Sequence, residues 1–336
     1  MSKAVVRALL AMAVAVVPVA FAAGPALRVE ELRVPALDAG IELHVHHKYP
    51  VDAGRNIARG IVLFVHGATF PAGSTFDVPL PRLSWMDQLA LNGADVYALD
   101  IRGYGGSTRP PAMSQPPEAN PPFARAADAV RDISAAVDFI LARRQAKQLT
   151  LIGWSWGTTT TAGYAARRPE KVDALVLVSP VWLGVRPPKY RGAYRTSTRE
   201  SARAFAISGI PKERVDDIAP LAGFDAWWAA TLATDPDGAK QSPPVVRSPN
   251  GVLQDFEDWA AGKPTYDPAM IQAPTLLLVG EWDVITPPAM AQALFTQLTH
   301  APERRLIQFS EATHFMIIEK HRLRVLREVR NFLDER

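Results

Sequence analysis

The chain contains no cysteine. Disulfides therefore contribute nothing to its stability, thiol catalysis is excluded, and so is an amino-terminal lipid-modified cysteine. Basic runs are missing too. The formal charge of +3 is scattered over 336 residues with no Lys/Arg tract and no aromatic-basic stripe, so nothing argues for a nucleic-acid partner. The glycine-rich stretch Arg102-Gly103-Tyr104-Gly105-Gly106-Ser107 lacks the Gly-Lys-Ser/Thr ending, and no helical pattern starts there, which argues against a nucleotide loop. Internal repeats are absent, and the one biased tract is an irregular loop of six prolines between Pro110 and Pro122.

At the amino terminus, Lys3 and Arg7 precede an apolar run from Ala8 to Ala23. Ala20-Phe21-Ala22 offers small residues where a signal peptidase reads. This pattern predicts a signal peptide over residues 1–22 and an exported protein, periplasmic or secreted. The run is shorter than the roughly 20 residues a spanning helix needs and contains Pro18, so no stable membrane span is expected after cleavage. Without Lys3 and Arg7 the formal charge falls from +3 to +1, so the mild basicity belongs partly to the leader. The composition, 48% hydrophobic and 21% charged, fits a soluble globular chain with a sizeable core.

Residues 27–34 and 41–47 alternate apolar and polar side chains around Asp38-Ala39-Gly40, as a hairpin of half-exposed strands does. His44 and His46 share one face of the second strand. No third ligand at plausible spacing accompanies them, so exposed strand histidines are expected there and not a metal site. Apolar runs follow at Ile61–Val65, Asp95–Asp100, Leu149–Ile152 and Ala174–Val178, separated by helical patterns near residues 83–92, 123–144 and 158–167. Strand, helix, strand, helix with apolar strands throughout predicts a mostly parallel sheet flanked by helices. The rhythm stops at Ser179-Pro180. Residues 181–271 show helical segments near 199–207, 225–233 and 253–261 and no convincing buried strand. It resumes with a strand at 275–279, a helix at 288–298, a strand at 305–309 and a helix at 320–333. The expected organisation is a core over 27–180 and 272–336, interrupted by a mainly helical cap over 181–271. Such a cap would sit over the carboxyl edge of the sheet, where ligands bind in open α/β sheets.

The chemistry centres on Gly153-Trp154-Ser155-Trp156-Gly157, which follows a buried strand and precedes a helix. Glycines two positions either side of the apex relieve a strand that turns into a helix within one or two residues, and the apex serine is thrust out beside the positive end of that helix. Asp283 follows the strand ending at Val279, with Glu281 as its local competitor, and His314 follows the strand ending at Phe309. Both loops lie at the edge where Ser155 emerges. Gly-X-Ser-X-Gly alone is moderately specific, but serine, acid and base in this order supply a nucleophile, an orienting group and a general base.

On His66-Gly67 after a buried strand, Asp100-x-Arg102-Gly103-x-Gly105-x-Ser107, Gly153-x-Ser155-x-Gly157, Gly280-x-x-Asp283 and His314, the chain resembles the α/β-hydrolase-fold serine hydrolases from about residue 27 to the end. The resemblance implies the α/β-hydrolase fold, catalysis by Ser155, Asp283 and His314, and an oxyanion site built from the backbone N–H groups of Trp156 and Ala68. His66 is expected to brace that loop. Relatives that open epoxides or remove halide carry Asp at the apex, so Ser155 disfavours those activities. The His66-Gly67-Ala68-Thr69 loop is poorer in glycine and proline than in the aminopeptidase branch. What remains is cleavage of an ester, thioester or lactone, a small-molecule substrate, with no cofactor and no metal. Acyl transfer or C–C hydrolysis with the same residues, and a catalytically silent binding protein, stay open as alternatives. Trp154, Trp182, Trp227 and Trp228 are candidate walls for an apolar or aromatic substrate pocket, although Trp227-Trp228 equally suits packing of a cap helix onto the core.

Overall fold

Runs in which every residue is apolar have no polar face to turn to water, and here they become the interior of one sheet. The computed structural model describes residues 26–51, 60–78, 80, 84–184 and 192–336, and the expected leader over residues 1–22 lies outside them. The chain runs through β1 (Leu27–Pro35), β2 (Glu42–Pro50), β3 (Ile61–Val65), α1 (Ala72–Phe76), α2 (Trp85–Leu91), β4 (Asp95–Asp100), α3 (Ala126–Arg144), β5 (Leu149–Trp154), α4 (Trp156–Arg167) and β6 (Val172–Val178). An insertion follows with β7 (Tyr194–Thr198), α5 (Arg199–Ala206), α6 (Val215–Ile218), α7 (Leu221–Ala233), β8 (Val245–Pro249) and α8 (Gly251–Ala260). The core then closes with β9 (Thr275–Gly280), α9 (Pro288–Gln297), β10 (Arg304–Phe309) and α10 (Arg322–Asp334).

The large sheet has the order β1-β2-β4-β3-β5-β6-β9-β10, and only the β1–β2 and β2–β4 pairings are antiparallel. Every residue of β3, β5 and β9 is buried. Alternation along β3 sends Leu63 and Val65 into the layer shared with α3, α4 and α9, while Val62 and Phe64 enter the layer shared with α2 and α10. Because β3, β5, β6, β9 and β10 run parallel, the loops after them emerge at one edge. That common edge is what brings residues 66–69, 155, 281–286 and 310–315 together.

The insertion corrects one expectation. β7 and β8 pair as an antiparallel ribbon, and all of β8 is buried. Its sequence hides this, because Val245-Val246 is followed by Arg247 and Ser248. Arg247 tolerates burial through a two-pronged bond to Asp235, with Nε–Oδ2 at 2.9 Å and Nη2–Oδ1 at 2.6 Å. A second correction concerns the strand histidines, which are not exposed. β2 lies inside the sheet between β1 and β4, so His44 bridges Asp100 (2.8 Å) and Glu31 (2.7 Å), and His46 bridges Glu31 (2.7 Å) and Asp77 (2.9 Å). Fully buried His47 stacks on Tyr97 and bonds Asp95 at 2.7 Å. Carboxylates on both ring nitrogens favour the charged imidazole, and the pKa values of His44 and His46 are raised accordingly, with burial opposing. Among the described residues no group of three or more His, Asp or Glu side chains could hold a metal ion.

The loop after β4 is held from beneath. Arg102 in that loop bonds Asp132 of α3 through Nε (3.1 and 3.0 Å) and Nη2 (2.5 Å), and reaches Asp38 in the β1–β2 turn at 2.6 Å. Asp132 is wholly buried. Asp132→Ala would leave the buried guanidinium with Asp38 as its remaining carboxylate and is expected to lower unfolding free energy by up to about 3–5 kcal/mol, read as a lower urea midpoint at unchanged slope.

Candidate active site

β5 passes into α4 within one residue, and Ser155 carries the turn at φ 54° and ψ −125°. A Cβ on Gly153 would collide with the Gly157 carbonyl, and one on Gly157 would collide with the carbonyls of Val65 and His66. Only glycine fits at either position. The Ser155 N–H donates to the Val178 carbonyl at 2.9 Å, which anchors the apex to the neighbouring strand. The first N–H groups of α4, beginning with Trp156, have no partner within the helix and lie beside the serine.

His314 Nε2 stands 2.8 Å from Ser155 Oγ. Its Nδ1 faces the Asp283 carboxylate at 3.0 and 3.2 Å. Asp283 also accepts the N–H groups of Ile285 (2.9 Å) and Thr286 (2.7 Å) and the Thr286 hydroxyl (2.8 Å). Burial alone would raise the Asp283 pKa, but the His314 imidazole and the Thr286 donors outweigh it and hold the carboxyl below its usual range. Such a carboxylate is an acceptor only, which fixes the proton on Nδ1 and leaves Nε2 free to accept from the serine. Glu281 is exposed and accepts the Glu311 N–H at 3.1 Å, away from the serine.

Two further groups set the His314 loop. The Trp154 indole donates to the His314 carbonyl at 2.9 Å, with its ring 5.4 Å from the imidazole. Buried Glu319 engages both the N–H (3.1 Å) and the hydroxyl of Thr313, and burial pushes its pKa up to about 7.

The loop after β3 supplies the opposite wall. A Cβ at Gly67 would stand 3.1 Å from Ser155 Cβ, which measures how closely this backbone approaches the serine. His66 is buried, and its Nε2 accepts the Ile101 N–H at 3.1 Å. The proton is thereby assigned to Nδ1, which donates to the Gly67 carbonyl at 2.7 Å. Burial holds this imidazole below its ordinary pKa, consistent with a neutral ring. In a trans peptide the carbonyl and the next N–H point opposite ways, so fixing the Gly67 carbonyl fixes the Ala68 N–H as well.

A cavity of about 660 Å³ opens over Ser155 and Ala68. Phe205, Leu253, Phe256, Ile285 and Met290 make it largely apolar, while Thr69, Arg195, Thr196 and Ser201 form a polar side. Trp154, Trp182, Trp227 and Trp228 are not among its described lining residues. Trp154 lies buried behind His314, Trp182 packs edge-on against Tyr266, and Trp227 packs against Phe70, Phe224, Phe315 and Trp228. Trp227 and Trp228 thus serve packing, because the interface of α7 with the core is itself deep enough to bury large rings. Ile285 was readable as an apolar neighbour of the acid. Arg195 and Phe256 come from cap elements whose position no local pattern reveals. A second hollow of similar volume lies between α7 and residues 315–323 and does not reach Ser155.

The insertion meets the loops that carry Asp283 and His314 directly. Arg214 bonds Glu311 at 2.6 and 3.0 Å, and Gly209 packs so closely on the Trp282 carbonyl that no Cβ fits.

Residues 60–321 match the family described as alpha/beta hydrolase fold. No curated protein matches the sequence. Among solved structures, a thermophilic esterase from Thermogutta terrifontis is similar over 91% of this chain and 98% of its own, at 17% identity and a TM-score of 0.60. A serine hydrolase involved in carbazole degradation is similar over 92% of this chain and 100% of its own, at 19% identity and a TM-score of 0.59. An epoxide hydrolase from Vigna radiata is similar over 92% and 98%, at 16% identity and a TM-score of 0.57. At such identities the shared property is the fold. With the family match spanning most of the chain and the mostly parallel eight-stranded sheet beneath it, the protein belongs to the α/β-hydrolase fold family.

Proposed function

We propose that the protein is an exported serine hydrolase that cleaves a carboxylic ester, thioester or lactone through an acyl-enzyme on Ser155. The observation that carries this reading is the continuous line from Ser155 Oγ to His314 Nε2 at 2.8 Å and from His314 Nδ1 to Asp283 at 3.0 Å. A hydroxyl is a weak nucleophile until a base removes its proton. His314 takes that proton as Oγ attacks the acyl carbon, and returns it to the leaving oxygen or sulfur as the tetrahedral intermediate collapses. Asp283 keeps the imidazole in the required tautomer and stabilises its protonated form. Water activated by the same imidazole then cleaves the acyl-serine. The N–H groups of Trp156 and Ala68 receive the developing oxyanion, and preorganised donors of this kind are worth about 10²–10³ in rate each.

A serine at the apex, where epoxide- and halide-directed relatives carry a carboxylate, supports acyl chemistry. The apolar wall of the cavity supports a substrate with an apolar or aromatic limb. The leader pattern in residues 1–22 supports export, and no helix among the described residues is long and apolar enough to cross a membrane.

Purified protein is expected to react with a fluorophosphonate and to hydrolyse p-nitrophenyl hexanoate and benzoate faster than the acetate. Ser155→Ala abolishes labelling and lowers kcat/KM by at least about 10⁴-fold. A labelled Ser155→Ala variant, or an acetate-preferring profile, contradicts the assignment. Amino-terminal sequencing of protein recovered outside the cytoplasm should begin near Ala23, and an intact Met1 there argues against cleavage. Glu319 sets a pH dependence. Its folded pKa of about 7 exceeds the ordinary 4.5, so its contribution to stability is complete below 4.5 and lost as pH rises through 7. Glu319→Gln, a mimic of the protonated form, should remove roughly 3 kcal/mol of the stability decline between pH 5 and 8, measured by denaturant unfolding at each pH.

A further inference from the structure

Three consecutive carbonyls in the loop beside Ser155 are each held by a side chain. The Gly67 carbonyl accepts His66 Nδ1–H at 2.7 Å. The Ala68 carbonyl accepts two donors, the Tyr104 hydroxyl at 2.7 Å and Arg195 Nη2–H at 2.6 Å. The Thr69 carbonyl accepts the Ser248 hydroxyl at 2.7 Å. Two of these four donors come from the cap. Arg195 lies on β7 and Ser248 on β8, and the two residues are direct partners across the ribbon. Arg195 is itself fixed, its Nη1 donating to the Pro249 carbonyl (2.7 Å) and Asn250 Oδ1 (3.3 Å), and its Nη2 also reaching Thr69 Oγ1 at 3.0 Å.

We infer that the cap ribbon is a working part of the oxyanion site, with Arg195 the principal positioning residue and Ser248 its auxiliary. The inference rests on the reading of Ser155 as an acylated nucleophile. The Ala68 N–H lies in the peptide plane of the Gly67 carbonyl, which His66 holds from the core. The next plane, carrying the Ala68 carbonyl, is held by Tyr104 from the core and by Arg195 from the cap, so the ribbon limits the rotation at Ala68 through which the first plane could tilt. A guanidinium is suited to the task because its planar fork serves Pro249, Ala68 and Thr69 from fixed directions, whereas an ammonium is a point charge that cannot reproduce that fork. The ribbon therefore stays seated during turnover. Substrate enters where Val284, 59% exposed, marks the rim of the cavity.

The test compares full-length wild type with Arg195→Lys, Arg195→Met and Ser248→Ala. Readouts are steady-state hydrolysis of p-nitrophenyl hexanoate, affinity for phenylboronic acid (which forms a tetrahedral adduct on a serine), and amide hydrogen exchange over residues 66–72 and 149–157. Both Arg195 variants are expected to lose about 10- to 100-fold in kcat, as a misplaced donor does, with KM within about threefold of wild type. Boronate affinity should fall by the same factor as kcat, and the pH midpoint of kcat should not move, because His314 and Asp283 are untouched. Ser248→Ala should lose less, and it carries the test should the Arg195 variants fail to fold. Exchange over 66–72 should quicken while 149–157 keeps its protection. A raised KM at full kcat makes Arg195 a substrate contact and overturns the proposal, as does unchanged exchange over 66–72. Should wild type neither turn over ester nor label at Ser155, the hydrolase reading fails, and exchange over 66–72 alone decides whether the ribbon orients the loop.

Discussion

Ser155 is held at φ 54°, ψ −125°, a conformation that costs a side-chain-bearing residue on the order of 1–3 kcal/mol, and the surrounding structure is arranged so that the chain cannot relax out of it. The turn is squeezed between β3 and α4. Gly157 lies against the carbonyls of Val65 and His66, while Gly153 lies against the carbonyl of Gly157. This crowding is the constraint on which the site depends. It fixes the distance between Ser155 and the backbone of the loop after β3, while the His66, Tyr104, Arg195 and Ser248 side chains set the carbonyls of that loop.

Around this turn the buried carboxylate and imidazole groups are each met by partners. Asp283 is buried, yet His314, Ile285 and Thr286 meet its oxygens. His66 is buried, and each of its nitrogens has a backbone partner. Low dielectric strengthens such bonds and penalises any that are missing, so these networks favour one tautomer and one loop conformation over the alternatives. The same logic explains the cluster around β2, where His44, His46 and His47 bridge carboxylates from neighbouring strands and loops instead of facing water.

Much of this was legible in the sequence because it is local. Apolar runs of five or six residues, glycines either side of a serine, and an acid and a histidine just after later strands are all patterns within a short window. The sheet and the meeting of Ser155, Asp283 and His314 at one edge follow from them. The cap was less legible. β8 interrupts its apolar residues with Arg247, whose burial makes sense only once Asp235 is beside it. In the sequence, large aromatic residues near Ser155 point to a pocket, but Trp227 and Trp154 are consumed by packing, and the walls are supplied by Phe205, Leu253, Phe256 and Met290 from helices far apart in sequence. Arg195 carried no signal at all, since its partners in the loop after β3 lie more than a hundred residues away and Pro249 and Asn250 more than fifty.

The cap touches each of the three loops that follow β3, β9 and β10, through Arg195 and Ser248, through Gly209, and through Arg214. A lid joined to its base at one hinge can melt or swing while the base survives. Here the attachments are distributed, and no cysteine is available to lock them covalently. Attachments of this kind tie cap and core into one cooperative unit, and heating is expected to disrupt the cap and the geometry around Ser155 together.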